Sequence, residues 1–501
     1  MTSPPRHWPQ YVGAFLVFVL LAGVASASAA LLQVKEVVDI AKVSHTAVSV
    51  ETKGALDDVV QGKPQTLLLI GSDKRDKNAV GDGRSHGLSD TLMLVRLDPE
   101  QGAIAVLSVP RDTKAEIPLP GGGFRTAKIN EAYSDGGAQL TIRTVRKLMG
   151  LPINHVLIIN FGAFERAVNR LGCLYEDVDR TYFNDNSQGQ NYATINVKSG
   201  YQLLCGSDTL DWVRFRHTDS DFVRGARQQA FLRSAKSQIA ASQLINDRNT
   251  LIRIFATYSQ TDITSTTSIL GLLKLALASA HQPVRNIAFR GDTSTDPSDT
   301  FVTVTDANLA LMRREFTELK AAKGPAADTT EVEKVRKKTA KKVKKERGLA
   351  KGLIRVTNDV TRPDLVRASF NLSGKLPVYY PSVRYALSSY TSLDGVRSYN
   401  IISRTKKKYP SFRLSIYYGQ NGQYYGVQGT TWRNPPILGD EHTTVTRNGR
   451  KLLVFGAAGG RDQIVAWKTP KGVYWVSNTL SNSLSNAQML DIAANLRRVP
   501  G

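Results

Sequence analysis

The sequence predicts an α/β domain, a smaller α+β domain after it and a membrane-spanning helix in front of both. From Thr66 to about Lys323, short apolar runs typical of strands alternate with helical patterns. From Leu353 to Gly501, short β-rich runs recur between Gly, Asn and Pro turns and end in a helical pattern. Ahead of both domains, residues 11–32 contain no charged side chain. These three observations carry the fold prediction.

Composition limits the function classes. Of 501 residues, 41% are hydrophobic, which supplies a sizeable core and excludes global disorder. There are 66 Lys and Arg against 43 Asp and Glu, a net charge of +23 that favours nucleic acid, lipid head groups or phosphorylated substrates as partners. Two cysteines exclude a disulfide-dense scaffold and a four-cysteine zinc site. The motifs HExxH, GxSxG and GxxxxGK[ST] are absent, which argues against zincins, α/β-hydrolases and Walker-type NTPases.

The N-terminal apolar run, residues 11–32, is long enough to cross a membrane, since about 20 residues at ~1.5 Å each span ~30 Å. Arg6 precedes it, which favours a cytoplasmic tail at 1–10 and an exported chain beyond it. The alternative is a cleaved signal peptide, because residues 25–29 contain two A-x-A patterns. Both readings export residues beyond about 33. We therefore expect a single-pass protein of the cell membrane with an extracellular catalytic domain, a connector at 33–63, and no nucleic-acid partner.

Export also bears on the cysteines. In an oxidising compartment, Cys173 and Cys205 are expected to form one disulfide. Closing the loop between Cys173 and Cys205 contributes roughly 3–4 kcal/mol to stability in the chain-entropy model. The alternative is a pair of buried thiols.

Three apolar runs open the α/β domain: Thr66–Ile70, Thr91–Leu97 and Ala103–Val109. We interpret them as buried strands of an antiparallel meander. In a meander, the end of the first strand, the start of the second and the end of the third lie at one sheet edge. The predicted helices that follow are Gln139–Met149, Gly162–Leu171, Ala226–Leu244, Thr266–Ala280 and Ala307–Ala322.

Charged residues collect at that predicted edge: Asp73, Arg75, Asp90, Arg111 and Asp112. Neighbouring strands are ~5 Å apart, so Asp73 and Asp90 can face each other across one strand spacing. Two carboxylates at that separation suit a hard cation such as Mg²⁺, with Mn²⁺ as the alternative metal. Without a cation, the like charges would raise the pKa of one carboxyl group. The competing interpretation makes these aspartates ordinary turn and cap residues.

A second cluster contains Arg214, Arg216, Arg224, Arg227 and Gln228. In Arg214-Phe215-Arg216, alternation places both arginines on one face if the segment is a strand. Arg224 and Arg227 share one face at the start of the next helix, where the helix N-terminus attracts anions. Because Arg binds phosphate in a bidentate fork, the cluster predicts a phosphate-binding site. The alternative is a set of ion pairs, with Asp221 as an N-cap.

The remaining segments carry no catalytic constellation. Residues 324–352 form a basic linker; between Glu331 and Lys351 there are ten Lys or Arg and three Glu. This linker is either a solvated spacer or a contact for anionic wall polymer or lipid head groups. Residues 353–501 form the accessory α+β domain, whose aromatic side chains are either core or a glycan-stacking face. Those aromatics are Tyr417, Tyr418, Tyr424, Tyr425, Trp432, Trp467, Tyr474 and Trp475.

An ordered series of motifs between residues 64 and 323 resembles the LytR-CpsA-Psr family of cell-envelope phosphotransferases. The matching segments are LLLIGSDKR at 67–75, SDTLML at 89–94, SVPRDT at 108–113, KINEAY at 128–133, the glycine pair 136–137, 155–164, and 214–229 with its DxxRxxRQ core at 221–228. Each motif is short, but the ordered set is specific. The C-terminal domain lies outside the resemblance.

The resemblance implies a mixed central sheet flanked by helices, with an apolar pocket for a polyprenyl chain. It implies Mg²⁺-dependent transfer of a glycopolymer from a polyprenyl-pyrophosphate carrier to peptidoglycan. Asp73 and Asp90 match the family's metal-binding aspartates. The residues that match its pyrophosphate-binding set are Arg75, Arg111, Lys128, Arg214, Arg216, Arg224, Arg227 and Gln228.

Three residues within the motifs are the candidates for catalysis, and one position departs from the family pattern. Arg111 is expected to act in catalysis as well as binding, and Asp112 and Asp221 are the candidates for a general base. Where the family often has Arg before Ser-Asp-Thr, this chain has Leu88, and Arg84 is the nearest upstream substitute. Three rival functions stay open: a non-catalytic envelope regulator, a pyrophosphatase that releases the polymer to water, and a lipid-pyrophosphate binding module without turnover.

Overall fold

The structure is a computed structural model. It describes residues 52, 54–72, 89–187, 193–215, 221–239, scattered positions from 243 to 282, 284–293, 299–318, 348–356, 362–391, 395–419, 422–439, 442–457 and 460–500. The chain divides into two compact units. The first unit takes its described residues from 1–171 and 235–328, and the second from 172–234 and 329–501. Residues 172–234, although inside the motif-bearing region, therefore cluster with the C-terminal domain.

A mixed six-stranded sheet forms the centre of the first unit. Its strands are β1 Gln65–Ser72, β2 Ser89–Asp98, β3 Ala103–Val109, β6 His155–Asn160, β11 Ser259–Thr261 and β12 Val284–Ile287, in the order β11-β6-β1-β2-β3-β12. Strand β1 is parallel to β6 and β3 is parallel to β12, while the other neighbours are antiparallel. The central strands are buried along nearly their whole length, as their continuous apolar runs predict. The mixed sheet and the three-stranded meander are confirmed.

Helices and two small hairpins complete the first unit. The helices are α1 Glu131–Met149, α2 Phe161–Arg170 and α5 Asp306–Thr317. The hairpins pair β4 Lys114–Pro118 with β5 Phe124–Lys128, and β13 Asp292–Thr293 with β14 Val302–Thr303. Helix α1 begins eight residues before the predicted helix at Gln139, because Gly136 and Gly137 kink it instead of ending it. Gly137 has φ 59°, a conformation that glycine adopts at little cost.

The part of the second unit contributed by residues 172–234 has two strand pairs and two helices. Strand β7 Leu174–Val178 pairs with β10 Gly200–Leu204, and β8 Tyr182–Asn184 pairs with β9 Ile195–Val197. The helices are α3 Gly206–Arg214 and α4 Asp221–Gln238, the second of which continues beyond residue 234.

The C-terminal part of the second unit is α+β with an antiparallel sheet, as predicted. The sheet contains β18 Ser389–Tyr390, β19 Val396–Ile402, β20 Lys408–Tyr417, β21 Tyr424–Thr430, β22 Thr443–Arg447, β23 Arg450–Ala457, β24 Arg461–Lys468 and β25 Val473–Ser477. Two further pairs join β15 Leu353–Arg355 to β17 Val383–Tyr385, and β16 Tyr379–Pro381 to β26 Leu496–Arg498. A short 3-10 helix spans Pro436–Leu438, and the α-helices are α6 Pro363–Asn371 and α7 Asn486–Ala494.

The aromatic side chains of this domain are mostly core. Tyr425, Tyr474 and Trp475 are fully buried, and Tyr418 and Trp467 nearly so. The other three aromatics singled out in the sequence, Tyr417, Tyr424 and Trp432, are only half-buried.

The predicted membrane anchor at 11–32 and the basic run at 331–347 lie outside the described residues. Within the part of the chain that the structure describes, no helix is long and apolar enough to cross a bilayer. The predicted helix at Thr266–Ala280 is described at only a few positions.

Candidate functional site

The ends of the first three strands meet at one edge of the mixed sheet. Gly71 pairs with Thr91, and Ser72 pairs with Ser89. The pairing register shifts at this point, so Asp90 has no partner residue across the β1–β2 ladder. A shift of this kind is typical of a β-bulge, and bulges are over-represented beside active sites. The sequence predicted the edge, but it gave no sign of the bulge at Asp90.

Gly71 suits the close approach of these strands. A Cβ atom at position 71 would lie 3.0 Å from the Thr91 Cβ and 3.2 Å from its Oγ1. Contacts that short require the Thr91 side chain to move by a few tenths of an ångström. The glycine before Ser72 therefore sets the spacing of β1 and β2 at the edge where Asp90 lies.

The turn after β3 brings three charged side chains together. The Lys128 Nζ lies 3.2 Å from the Asp112 Oδ1, and the Arg111 Nε lies 3.8 Å from the same oxygen. All three side chains are largely buried, with 17–27% of each exposed. One carboxylate thus contacts two cations, and the group keeps a net positive charge, as binding an anion requires.

Backbone contacts fix this turn. The Thr113 Oγ1 donates a hydrogen bond to the Pro110 carbonyl at 2.6 Å. Asn130 N–H donates to the Arg111 carbonyl, and Val302 N–H donates to the Asp112 carbonyl at 2.9 Å. The turn is thereby tied to the loop after β5 and to β14, and Arg111 and Lys128 come from segments that are joined to each other.

For six of the predicted site residues, the structure describes either no atoms or only the backbone. Asp73, Arg75, Arg84 and Arg216 lie outside the described residues. Asp90 and Asp221 belong to described elements, β2 and α4, but their side chains are not described. Across the described ranges, no group of three His, Cys, Asp or Glu side chains is arranged to hold a metal ion.

In the second unit, Arg214 ends a helix instead of lying in a strand. The strand on which the one-face arrangement depended is not formed at Arg214: α3 ends there, Phe215 is its C-cap residue, and Arg216 lies outside the described residues. The Arg214 Nε lies 3.4 Å from the Asp211 Oδ1, one helical turn earlier. The alternation that suggested a strand thus begins in the last turn of a helix.

Arg224 and Arg227 lie early in α4 and are buried, with 4% and 0% of the residue exposed. The Arg227 Nη2 donates to the Phe215 carbonyl at 2.5 Å. Its guanidinium carbon lies 4.7 Å from the Tyr182 ring centre and 5.7 Å from the Phe215 ring centre. Arg227 therefore fixes Phe215, the C-cap residue of α3, while Gln228 beside it is half-buried.

Arg180 is a cation of this cluster that the sequence analysis missed. Its guanidinium carbon lies 4.6 Å from the Tyr182 ring centre and 5.2 Å from the Phe215 ring centre, so it shares both rings with Arg227. On the C-terminal sheet, the Tyr424 ring centre is also 5.2 Å away. Arg180 belongs to none of the matched motifs.

The expected disulfide joins Cys173 to Cys205. Cys173 comes directly before β7 and Cys205 directly after β10, so both adjoin the end pair of that ladder, Leu174 with Leu204. Cys205 is also the N-cap residue of α3. The bond therefore ties β7 to the helix that ends at Arg214.

A buried carboxyl group, that of Glu176, contacts helix α4. Glu176 on β7 is 2% exposed and accepts a hydrogen bond from the Ser234 Oγ at 2.8 Å. Burial raises the pKa of Glu176 well above its ordinary value, and the Ser234 hydrogen bond and Arg233 only partly offset that effect. Burial also lowers the pKa of Arg233 to about 10. Both groups are thus destabilised in their charged forms.

Comparisons with known proteins agree with the ordered motifs. The LytR_cpsA_psr family model matches residues 28–317. An uncharacterized protein of Staphylococcus aureus is 31% identical over 216 residues, covering 43% of this chain and 52% of that protein. The polyisoprenyl-teichoic acid–peptidoglycan teichoic acid transferase TagT of Bacillus subtilis is 29% identical over 228 residues, covering 45% of this chain and 69% of TagT.

Among solved structures, the crystal structure of B. subtilis TagV aligns with a TM-score of 0.43 and 25% identity, covering 52% of this chain and 98% of that one. The chain thus spans 52% of the first curated relative and 69% of the second.

Proposed function

The chain belongs to the LytR_cpsA_psr family, and from this membership we propose that it transfers a glycopolymer from a polyprenyl-pyrophosphate carrier to peptidoglycan during cell-wall assembly. TagT, one of its relatives, is named as a transferase of teichoic acid between a polyisoprenyl carrier and peptidoglycan. The reaction class is phosphoryl transfer.

The sheet edge is the observation that supports this function most directly. Ser72, Asp90 and the turn that carries Arg111 belong to three adjacent strand ends. A diphosphate carries several negative charges, and phosphoryl transfer is catalysed mainly by positioning it and neutralising that charge. Arg111 and Lys128, held by one carboxylate, supply two cations at this edge.

In the proposed reaction, a peptidoglycan hydroxyl oxygen attacks the phosphorus that carries the polymer. A new P–O bond forms, the P–O–P bridge breaks, and polyprenyl phosphate leaves with the bridging oxygen. Arg111 and Lys128 neutralise charge on the phosphate oxygens, and Asp112 keeps Lys128 in place. A loose transition state does not require a base. Asp112 and Asp221 are the proposed acceptors of the hydroxyl proton.

We further propose that Asp73 and Asp90 hold a Mg²⁺ ion. Their carboxylate oxygens are the ligand type that Mg²⁺ prefers. The described residue before Asp73, Ser72, pairs with Ser89, the residue before Asp90. When bound, the ion would neutralise charge on the diphosphate oxygens. The family motifs also assign Arg75, Arg214, Arg216, Arg224, Arg227 and Gln228 to the head group, with Arg84 in place of the missing arginine.

The proposed location is the outer face of the cell membrane. Residues 11–32 are the proposed single-pass anchor, with residues 1–10 in the cytoplasm. Both proposed substrates, a lipid-linked polymer and peptidoglycan, are available there.

The test is transfer by the full chain in detergent, supplied with a polyprenyl-pyrophosphate-linked glycopolymer, Mg²⁺ and peptidoglycan. Asp90→Ala and Arg111→Ala should each lower transfer at least ~10²-fold, because each removes charge stabilisation at the diphosphate. Arg125→Ala is the matched control, since Arg125 is half-exposed and pairs with Glu131 and Asp135. Transfer near the wild-type rate by both site variants would refute the proposed site.

Product analysis distinguishes transfer from the rival functions. Transfer predicts polyprenyl phosphate in equal amount to polymer bound to peptidoglycan. Polymer released in the absence of acceptor would indicate a pyrophosphatase instead. Binding of the lipid-linked polymer without any polyprenyl phosphate would indicate a binding module or regulator.

A further inference from the structure

The accessory domain is strongly basic, and that charge is not needed by the proposed reaction. Residues 353–501 contain 20 Lys and Arg against 7 Asp and Glu. Many of these cations serve the fold: Arg413 pairs with Asp177, and Arg447 with Asp491. The residual charge is carried by cations that have no such carboxylate partner.

Three consecutive lysines at the tip of the β19–β20 hairpin are such cations. Lys406, Lys407 and Lys408 are all exposed. Among the residues that the structure describes, no carboxylate lies within ion-pair distance of their ammonium groups. Arg404 beside them differs, because its guanidinium donates to the carbonyls of Gly172 and Cys173 at 3.1 and 2.8 Å.

The hairpin tip is an ordered turn. Lys406 N–H donates to the Ser403 carbonyl at 2.8 Å, and Ser403 N–H donates to the Lys407 carbonyl at 2.9 Å. The Ser403 Oγ also accepts from Lys407 N–H at 3.0 Å. Lys406 has φ 62°, a left-handed conformation that favours glycine or asparagine. A lysine at that position is a local cost that a purely structural turn would avoid.

An aromatic stack adjoins the lysines. The rings of Tyr409 and Trp432 are parallel within 8°, with centres 4.9 Å apart, and both residues are half-buried. The Lys407 Nζ lies 5.3 Å from the Tyr409 ring centre. Tyr175 packs edge-on against Trp432 at 5.2 Å and supports the stack. Half-buried aromatic side chains of this kind are typical of surfaces that contact the C–H faces of sugars and polyols.

We propose that the hairpin lysines 406–408 and the Tyr409–Trp432 stack form a binding surface for an anionic, phosphodiester-linked polyol or sugar polymer. The lysines match the repeated phosphates, and the rings match the carbon faces between them. Charge complementarity and the aromatic stack together favour a glycopolymer over a lipid surface. Of the large apolar side chains described at this tip, only Ile402 is exposed, at 47%. The surface is independent of the proposed transfer reaction.

The test measures binding of a glycerol-phosphate oligomer to the full chain by titration calorimetry at about 50 mM and 200 mM salt. Replacing Lys406, Lys407 and Lys408 together with Gln should weaken binding at least tenfold and flatten its salt dependence, because fewer counterions are displaced. The matched control replaces Lys451, Lys468 and Lys471 with Gln, three exposed lysines of the same domain. It makes the same change in net charge and should alter the dissociation constant less than threefold.

Two further variants separate binding from folding. Lys406→Gly relieves the left-handed conformation, so it should leave the unfolding midpoint unchanged or raised while it weakens binding. Trp432→Leu should weaken binding of the oligomer severalfold without changing the salt dependence. Equal loss of affinity in the two triple variants would overturn the proposal. Tighter binding of anionic phosphatidylglycerol vesicles than of the oligomer would also overturn it, in favour of a lipid surface.

Discussion

Removal of Arg413 should strongly destabilise the second unit. Arg413 lies on β20, and 1% of its side chain is exposed. Its Nη1 donates to the Asp177 Oδ1 and to the Ser477 Oγ, both at 2.9 Å. The other Asp177 oxygen accepts from the Trp475 Nε1 at 3.3 Å. One buried ion pair thus joins the motif-bearing segment, through β7, to the C-terminal sheet.

The magnitude follows from the charge left behind. In Arg413→Met, the Asp177 carboxylate, which is 12% exposed, keeps the Trp475 donor but loses its counter-ion. Breaking a buried pair costs about 3–5 kcal/mol, mostly because the remaining charge is uncompensated. For a unit of this size, 1 kcal/mol shifts the unfolding midpoint by about 2–4 °C. The expected fall is therefore roughly 6–20 °C. The double variant Asp177→Asn/Arg413→Met removes both charges and should recover most of this loss.

The assay is thermal and urea unfolding of the full chain followed by tryptophan fluorescence. Four of the five tryptophans, at 212, 432, 467 and 475, belong to the second unit, so the signal reports on it. A single-variant cost below about 1 kcal/mol would refute the reasoning, since that is the size of an exposed ion pair. A double variant as unstable as the single one would show that packing, and not the uncompensated charge, accounts for the loss.

Three other predictions concern single features of the fold. Burial raises the pKa of Glu176 above its ordinary 4.5, so folding takes up a proton above pH 4.5, and the contribution of Glu176 to stability falls as pH rises through the raised pKa. Glu176→Gln should therefore raise the unfolding midpoint at pH 8 but not at pH 4.5. An equal gain at both pH values would contradict the assignment. Replacing Cys173 and Cys205 together with Ser should cost about 3–4 kcal/mol in urea unfolding, and reductant should lower the wild-type midpoint similarly but leave the variant unchanged. Gly71→Ala should cost about 1–3 kcal/mol and reduce transfer, because its Cβ would lie 3.0 Å from the Thr91 Cβ; unchanged stability would show that β1 and β2 separate freely at this edge.

The sequence was most informative where apolar runs were long and continuous. Strands β1 to β3 and their shared edge followed from three such runs, which read as buried strands whatever surrounds them. Short patterns misled: in Arg214-Phe215-Arg216 the alternation spans only three residues, too few to separate a strand from the last turn of α3. Edge strands such as β22, Thr443–Arg447, contain no such run, because most of their side chains are polar and exposed.

Local sequence patterns do not predict contacts between residues that are far apart in the chain. Asp177 and Arg413 are 236 residues apart, and neither residue alone signals a buried pair. The same applies to Arg180, whose ring partners include the distant residues Phe215 and Tyr424. The bulge at Asp90 depends on the register of two paired strands, which no motif encodes. Sequence motifs therefore identified the family and the candidate residues, while the grouping of 172–234 with the C-terminal domain came from the structure.

The central claim is that the chain recognises a diphosphate joined to a prenyl chain. Its most direct test compares binding of a prenyl pyrophosphate with that of the matching prenyl monophosphate to the full chain, by native mass spectrometry with Mg²⁺ present. We expect the pyrophosphate to bind at least tenfold more tightly, and Arg111→Ala to remove most of that preference. Equal affinity for the two lipids, or a preference that survives in Arg111→Ala, would contradict the account.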